Sequence, residues 1–211
     1  MIHELRVYTV HAGKQPEFLK LAGERAMKIR GNDYGKCLGY WTSEHGTLNQ
    51  IFHLWEYEDL NQRAEIRARL GQNPTWVKEY SSQVQPLIRQ QYVRLMHPIL
   101  PFKAPSGEGH VYEFRNYKAA VGKAAPWAKA FAEIMPVREK YSQNVCAWTV
   151  ESPEPNEVCH LWCYPSLNER LAIRAKVAAD PEWQGFLGKV AGMLVEMQST
   201  VLIPAPFSPL K

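Results

Sequence analysis

The chain has 211 residues, of which 45% are hydrophobic and 22% charged, with a net charge of +4. That is enough apolar material for one large domain or two small ones, and the weak charge without a Lys/Arg run argues against nucleic acid or an anionic membrane as partner. No segment approaches the ~18 uninterrupted apolar residues of a spanning helix. The N-terminal stretch lacks the features of a signal or transit peptide. A cytoplasmic location with four reduced cysteines is therefore expected.

Residues 2–10 are rich in β-branched and aromatic types and predict a strand. From Lys14 to Ile29, Phe18, Leu21, Ala22 and Met27 trace a loose helical stripe. Residues 36–44 and 47–57 read as two strands around a His45-Gly46 turn. A second helix follows Asp59, with Gly71 as its expected stop. Asn73-Pro74 restarts it, Asn as cap and Pro in the first turn. Residues 88–97 make a closing strand. The order is β-α-β-β-α-β with a broken second helix, the ferredoxin-like split βαβ arrangement.

The same order then repeats. Residues 53–76 and 160–183 share twelve of 24 positions at a constant spacing of 107. E-L-R-V-Y at 4–8 returns as E-F-R-N-Y at 113–117, each followed five residues later by Gly-Lys, at a spacing of 109. Trp41-Thr42 and Trp148-Thr149 are back at 107. A two-residue length change therefore lies between the first and second strands of the unit. The predicted organisation is a unit at 1–98, a Pro/Gly linker at 99–107, a second unit at 108–204, and an extended Pro-rich tail at 205–211. Large side chains alternate on both faces of the predicted strands. Both faces should then be covered, and two units in one chain could cover each other sheet against sheet.

Taken in order and in duplicate, E-L-R-V-Y with Gly13, W-T, H-L-W-x-Y, L-N-Q-R/L-N-E-R and N-P-T-W/D-P-E-W resemble the NIPSNAP family of the dimeric α+β barrel superfamily. The resemblance covers nearly the whole chain. It implies an α+β fold in which two tandem ferredoxin-like (βαββαβ) units form an intramolecular dimeric α+β barrel. The superfamily includes cofactor-free monooxygenases, haem-degrading enzymes and lactone isomerases, and fold alone does not choose among them.

Three constellations carry chemistry. Glu4, Arg6, Tyr8 and Glu113, Arg115, Tyr117 share strand faces. They read either as an ion-pair network locking two sheets or as arginines that bind a carboxylate or enolate, with Tyr as donor. His53, Trp55 and His160, Trp162, together with Trp41 and Trp148, read as hydrogen-bonded core histidines on tryptophan, as a base over an aromatic ligand, or as haem ligands. Asn61, Arg63, Arg67 and Asn168, Arg170, Arg174 read as solvated or dimer-contact arginines on the second helix, or as an anion-docking patch. Trp76 and Trp183 read as core anchors.

No Walker loop, G-x-S-x-G, dinucleotide fingerprint or H-E-x-x-H is present. The expected function is small-molecule binding, with cofactor-free oxygenase or isomerase chemistry on an aromatic or carbonyl substrate. The expected pocket takes in Arg6, Tyr8, Trp41, His53, Trp55, Arg115, Tyr117, Trp148, His160 and Trp162. No metal and no cofactor are expected, haem being the alternative cofactor. A homo-oligomer is compatible with this reading, and a non-catalytic interaction or scaffold module is the alternative function.

Overall fold

A computed structural model describes residues 1–211. The chain divides into two compact units, Met1–Leu95 with Pro204–Lys211, and Met96–Ile203. In the first, β1 (Ile2–Val10), β2 (Lys36–His45) and β3 (Gln50–Tyr57) form an antiparallel sheet ordered β2-β3-β1, with β4 (Ile88–Pro98) beside β1. Its helices are α1 at 15–30, α2 (Leu60–Gln72) and α3 at 74–87. The second unit repeats this with β5 (Val111–Ala119), β6 (Asn144–Ser152), β7 (Glu157–Tyr164) and β8 (Leu194–Pro204), ordered β6-β7-β5-β8. Its helices are α4 (Ala124–Arg138), α5 (Leu167–Ala179) and α6 (Pro181–Lys189). No helix is long and apolar enough to cross a membrane. All four cysteines are free thiols.

Two details set the register that places the site. β2 and β6 each carry a bulge, at Cys37/Gly39 and Asn144/Cys146. After it, Tyr40 stands opposite His53 and Ala147 opposite His160. On the other side of the same strands Arg6 faces His53 and Arg115 faces His160. The bulge re-aims the following residues, so each histidine has a defined neighbour on both flanks.

The helices explain the drifting repeat. Helix α1 contains a π turn at Ala22–Ala26, whereas α4 is α-helical throughout. A π turn absorbs one extra residue. Phe18 and Trp127 are 109 apart, and Arg30 and Arg138 are 108 apart. A second residue is dropped in the following turn, where Tyr34 and Tyr141 are 107 apart. Helix α3 has its own π turn at Val77–Ser81, which α6 lacks. Across it the spacing falls from 107 at Trp76/Trp183 to 106 at Ile88/Leu194.

Two expectations change. Gly71 does not end α2, which runs on to Gln72. The break comes from Asn73, whose extended backbone and side chain serve as cap for the next helix, accepting from Thr75 N and Trp76 N. Asp180 does the same for Glu182 and Trp183. The tail is not simply extended either. It turns at 206–207 and packs on its own unit, with Ala205 N donating to Tyr40 O and Tyr40 N to Ser208 Oγ. The Phe207 ring lies over Gly23, where a Cβ would come within 2.6 Å of it.

Candidate functional site

Each unit has a cavity between its sheet and its helices. The one in the second unit is about 480 Å³, lined by Arg115, Tyr117 and His160 from the strands and by Phe131, Arg138 and Arg174 from the helices, among others. The one in the first unit is about 180 Å³ and is lined by Arg6, Tyr8, His53, Arg30 and Arg67, among others. The E-x-R-x-Y and H-x-W-x-Y alternation puts these residues on the helix side of the sheet. Eight of the ten expected pocket residues lie here, four in each cavity. Trp41 and Trp148 are buried but line neither.

Each glutamate ties sheet to helix within its unit rather than locking two sheets together. Glu4, fully buried, accepts from Arg6 Nη1 at 3.0 Å and from Arg63 Nε at 2.5 Å. Glu113 accepts from Arg170 Nη2 at 2.7 Å and Nε at 3.1 Å, and from Ser199 Oγ at 2.5 Å. Arg115 Nη1 and Arg174 Nη1 stand 3.6 Å away. Burial alone would raise these carboxyls, but the surrounding cations outweigh it and hold both below the usual carboxylate range. Arg63 and Arg170 are thus paired. Helix α2 starts at the cap Asp59 and α5 at Ser166, which directs these arginines, one turn in, back to the sheet.

The histidines are fixed by an indole. Trp162 Nε1 donates to His160 Nδ1 at 2.5 Å, and Trp55 Nε1 to His53 Nδ1 at 2.6 Å. An indole N–H can only donate, so each Nδ1 is an acceptor and the ring proton sits on Nε2. Both rings are held neutral, well below the ordinary histidine pKa, first by burial and then by the flanking arginines. His160 Nε2 is therefore an N–H donor, and it has no protein partner. Arg115 Nε and Trp127 Nε1, in the same cavity wall, are also buried and unpartnered. The Tyr117 hydroxyl is pushed up to about 12, chiefly by burial, and stays protonated.

The charge balance points the same way. Around Glu113 stand Arg115, Arg170 and Arg174, and Arg138 reaches into the cavity. Arg138 lies over the Trp162 ring at 4.1 Å and donates to the Tyr164 hydroxyl and Ser142 Oγ. Arg30 is its counterpart, 3.3 Å from the Trp55 ring centroid and bonded to the Tyr57 hydroxyl. These two arginines escaped the sequence reading, because their spacing of 108 matches neither repeat register. Their place between the two length changes was the one available signal. Trp76 and Trp183, expected as core anchors, pack against the hydrophobic core of their units and also line the cavities.

The NIPSNAP family model matches residues 3–101 and again 112–209. Over 209 residues the chain is 31% identical to a NipSnap homolog of Dictyostelium discoideum, covering 96% of this chain and 87% of that protein. It is 30% identical to NipSnap homolog 3A of Homo sapiens, covering 100% and 86%. Among solved structures it resembles a candidate monooxygenase from Lactobacillus acidophilus, with a TM-score of 0.70 and 14% identity over 96% of this chain and 92% of that one. An anthrone oxidase-like protein gives a TM-score of 0.64 at 10% identity, over 95% and 90%. At such identities the likeness shows the fold alone, that of the dimeric α+β barrel proteins.

Proposed function

The chain belongs to the NIPSNAP family, and on that premise we propose that it binds a planar aromatic or conjugated carbonyl compound as its anion in the cavity of the second unit. One observation carries this reading. Three buried donors with no protein partner, Arg115 Nε, Trp127 Nε1 and His160 Nε2, belong to residues that line one cavity, whose wall is otherwise aromatic and aliphatic apart from Arg138 and Arg174. An unsatisfied buried donor costs about 1–3 kcal/mol, and an oxygen of an anionic ligand would satisfy it. The volume of about 480 Å³ falls within the roughly 300–1,000 Å³ of small-molecule pockets.

The chemistry this arrangement supports is stabilisation of negative charge on oxygen. Donors aimed at a developing enolate lower its energy without needing to reorganise. An enolate that enters already ionised needs no base in the cavity, and holding it there is compatible with cofactor-free isomerisation or its reaction with dioxygen. The names of the solved neighbours, a candidate monooxygenase and an anthrone oxidase-like protein, fit the same chemistry. His160 is a donor here and not the base. Haem fits poorly, because iron takes a nitrogen lone pair and Nε2 carries the proton. A cytoplasmic setting agrees with the four free thiols. The alternative, an interaction module with a filled interior, accounts for the Arg6–Glu4 and Arg115–Glu113 pairs but not for the orphaned donors.

The test is titration with 2-naphthoate, followed by tryptophan emission, since Trp127, Trp162 and Trp183 line the cavity. Saturable quenching is expected, weakened about ten- to a hundredfold in Arg115→Met. Unchanged emission across a panel of aromatic carboxylates and enolisable ketones would remove the reading.

A further inference from the structure

The two cavities have diverged in a definite direction. Each histidine is covered by an aromatic ring at a centroid distance of 4.9 Å, but from different elements. In the first unit it is Tyr40 on β2, stacked at 12°. In the second it is Phe131 on α4, at 37°. The counterpart of Phe131 at spacing 109 is Ala22, and that of Tyr40 at spacing 107 is Ala147. Ring and methyl have changed places, so the total core volume is kept while the supplier of the ring moves from helix to strand.

The π turn in α3 identifies the remaining counterparts. Tyr80 and Phe186 match, because Trp76–Tyr80 and Trp183–Phe186 rings lie 4.6 and 4.9 Å apart and Phe18–Tyr80 and Trp127–Phe186 lie 6.5 and 6.4 Å apart. At that spacing of 106, Ser81, Gln85 and Gln91 at the first cavity become Leu187, Ala191 and Met197 at the second. One mouth is polar. The other is apolar and open, with Leu187 43% and Met197 57% exposed. Tyr40 and Tyr80 bring two hydroxyls to the lining of the first cavity; Ala147 and Phe186, their counterparts, have none.

We infer that the first unit's cavity is a second, separate site, for a small hydrophilic oxyanion such as a short carboxylate. Its size of about 180 Å³ is below the roughly 300–1,000 Å³ of small-molecule pockets, and Ser81, Gln85 and Gln91 stand where the second cavity has Leu187, Ala191 and Met197. His53 Nε2 and Arg30 Nε are buried there without partners. Three arginines, Arg6, Arg30 and Arg67, line it; the one carboxylate bonded to Arg6, Glu4, is also bonded by Arg63. Arg67 is held below its ordinary value, first by burial and then by the like charge of Arg6, whereas the burial of Arg6 is outweighed by Tyr8 and Glu4, which hold it above its own. An anion in the cavity pairs with the arginines that line it and accepts from both orphaned donors.

The two indole N–H groups bonded to the histidines report the sites separately in a ¹H–¹⁵N spectrum. Acetate is expected to move the Trp55 indole signal saturably and leave that of Trp162 in place. 2-Naphthoate is expected to do the reverse, so this inference and the function proposed for the second unit fail independently. Exchanging half-buried Ser81 and exposed Gln91 at the mouth by Ser81→Leu with Gln91→Met should weaken acetate about tenfold, a loss of one or two polar contacts, with an unchanged circular dichroism spectrum. Acetate that leaves Trp55 unmoved, acetate that moves both signals alike, or naphthoate that saturates Trp55 overturns the inference.

Discussion

A tryptophan two residues along the strand decides what each buried histidine can do. His53 and His160 accept an indole N–H on Nδ1 and so present a proton, not a lone pair, to the cavity. A third histidine gives the acid sensitivity of the fold. His3 is fully buried, 3.4 Å from Glu56, and is lowered to about 4, chiefly by burial. Its pKa is below that of the unfolded chain, so its contribution is complete above about pH 6.5 and is lost as the pH falls toward 4. That loss is on the order of 3 kcal/mol, and His53 and His160 add to it in the same direction. Urea midpoints measured from pH 7 to pH 4 should fall steadily, and His3→Gln should flatten part of the slope. Glu4→Gln should destabilise by about 3–5 kcal/mol, because it strips the counter-charge from buried Arg6 and its partner Arg63; urea unfolding at neutral pH reads this directly.

At the scale of elements, much was written in the sequence. Strand alternation placed Glu4, Arg6 and Tyr8 on one face because a strand has period two. Asn73-Pro74 and Asp180-Pro181 marked the helix break because cap and first-turn proline act locally. Gly71 misled because a glycine inside a helix is tolerated when the next residues still continue it. Arg30 and Arg138 were hidden by the π turn of α1 and the shortened turn after α4, which spoil the arithmetic of the repeat. The mouth residues were hidden by the second π turn for the same reason. Trp41 and Trp148 fall outside the lining of both cavities, and a strand pattern could not say so, because it shows which residues share a face, not which face meets the helices. Asn73→Ala should lower the unfolding free energy by about 1 kcal/mol, read by urea denaturation, since it strands the Thr75 and Trp76 amides.

For the molecule as a whole, duplication gives two sheet-and-helix units with the same charge scaffold and different cavities. The conserved-in-both parts, Glu–Arg pair, His–Trp pair and helical arginines, build an electropositive pocket. The parts that differ, Tyr40 against Ala147 and Gln91 against Met197, set its size and polarity. Whole-chain fold and family were legible because the repeat is long and ordered. The ligand class proposed for each cavity was not, because it rests on buried donors without partners, which a sequence pattern does not show. The most direct measurement is the side-chain ¹⁵N spectrum of His160 at neutral pH, alone and with 2-naphthoate. A neutral ring protonated on Nε2, whose Nε2 signal shifts as the ligand saturates, is the expected result; an imidazolium, a ring protonated on Nδ1, or a signal indifferent to every aromatic anion would contradict a donor-lined binding cavity.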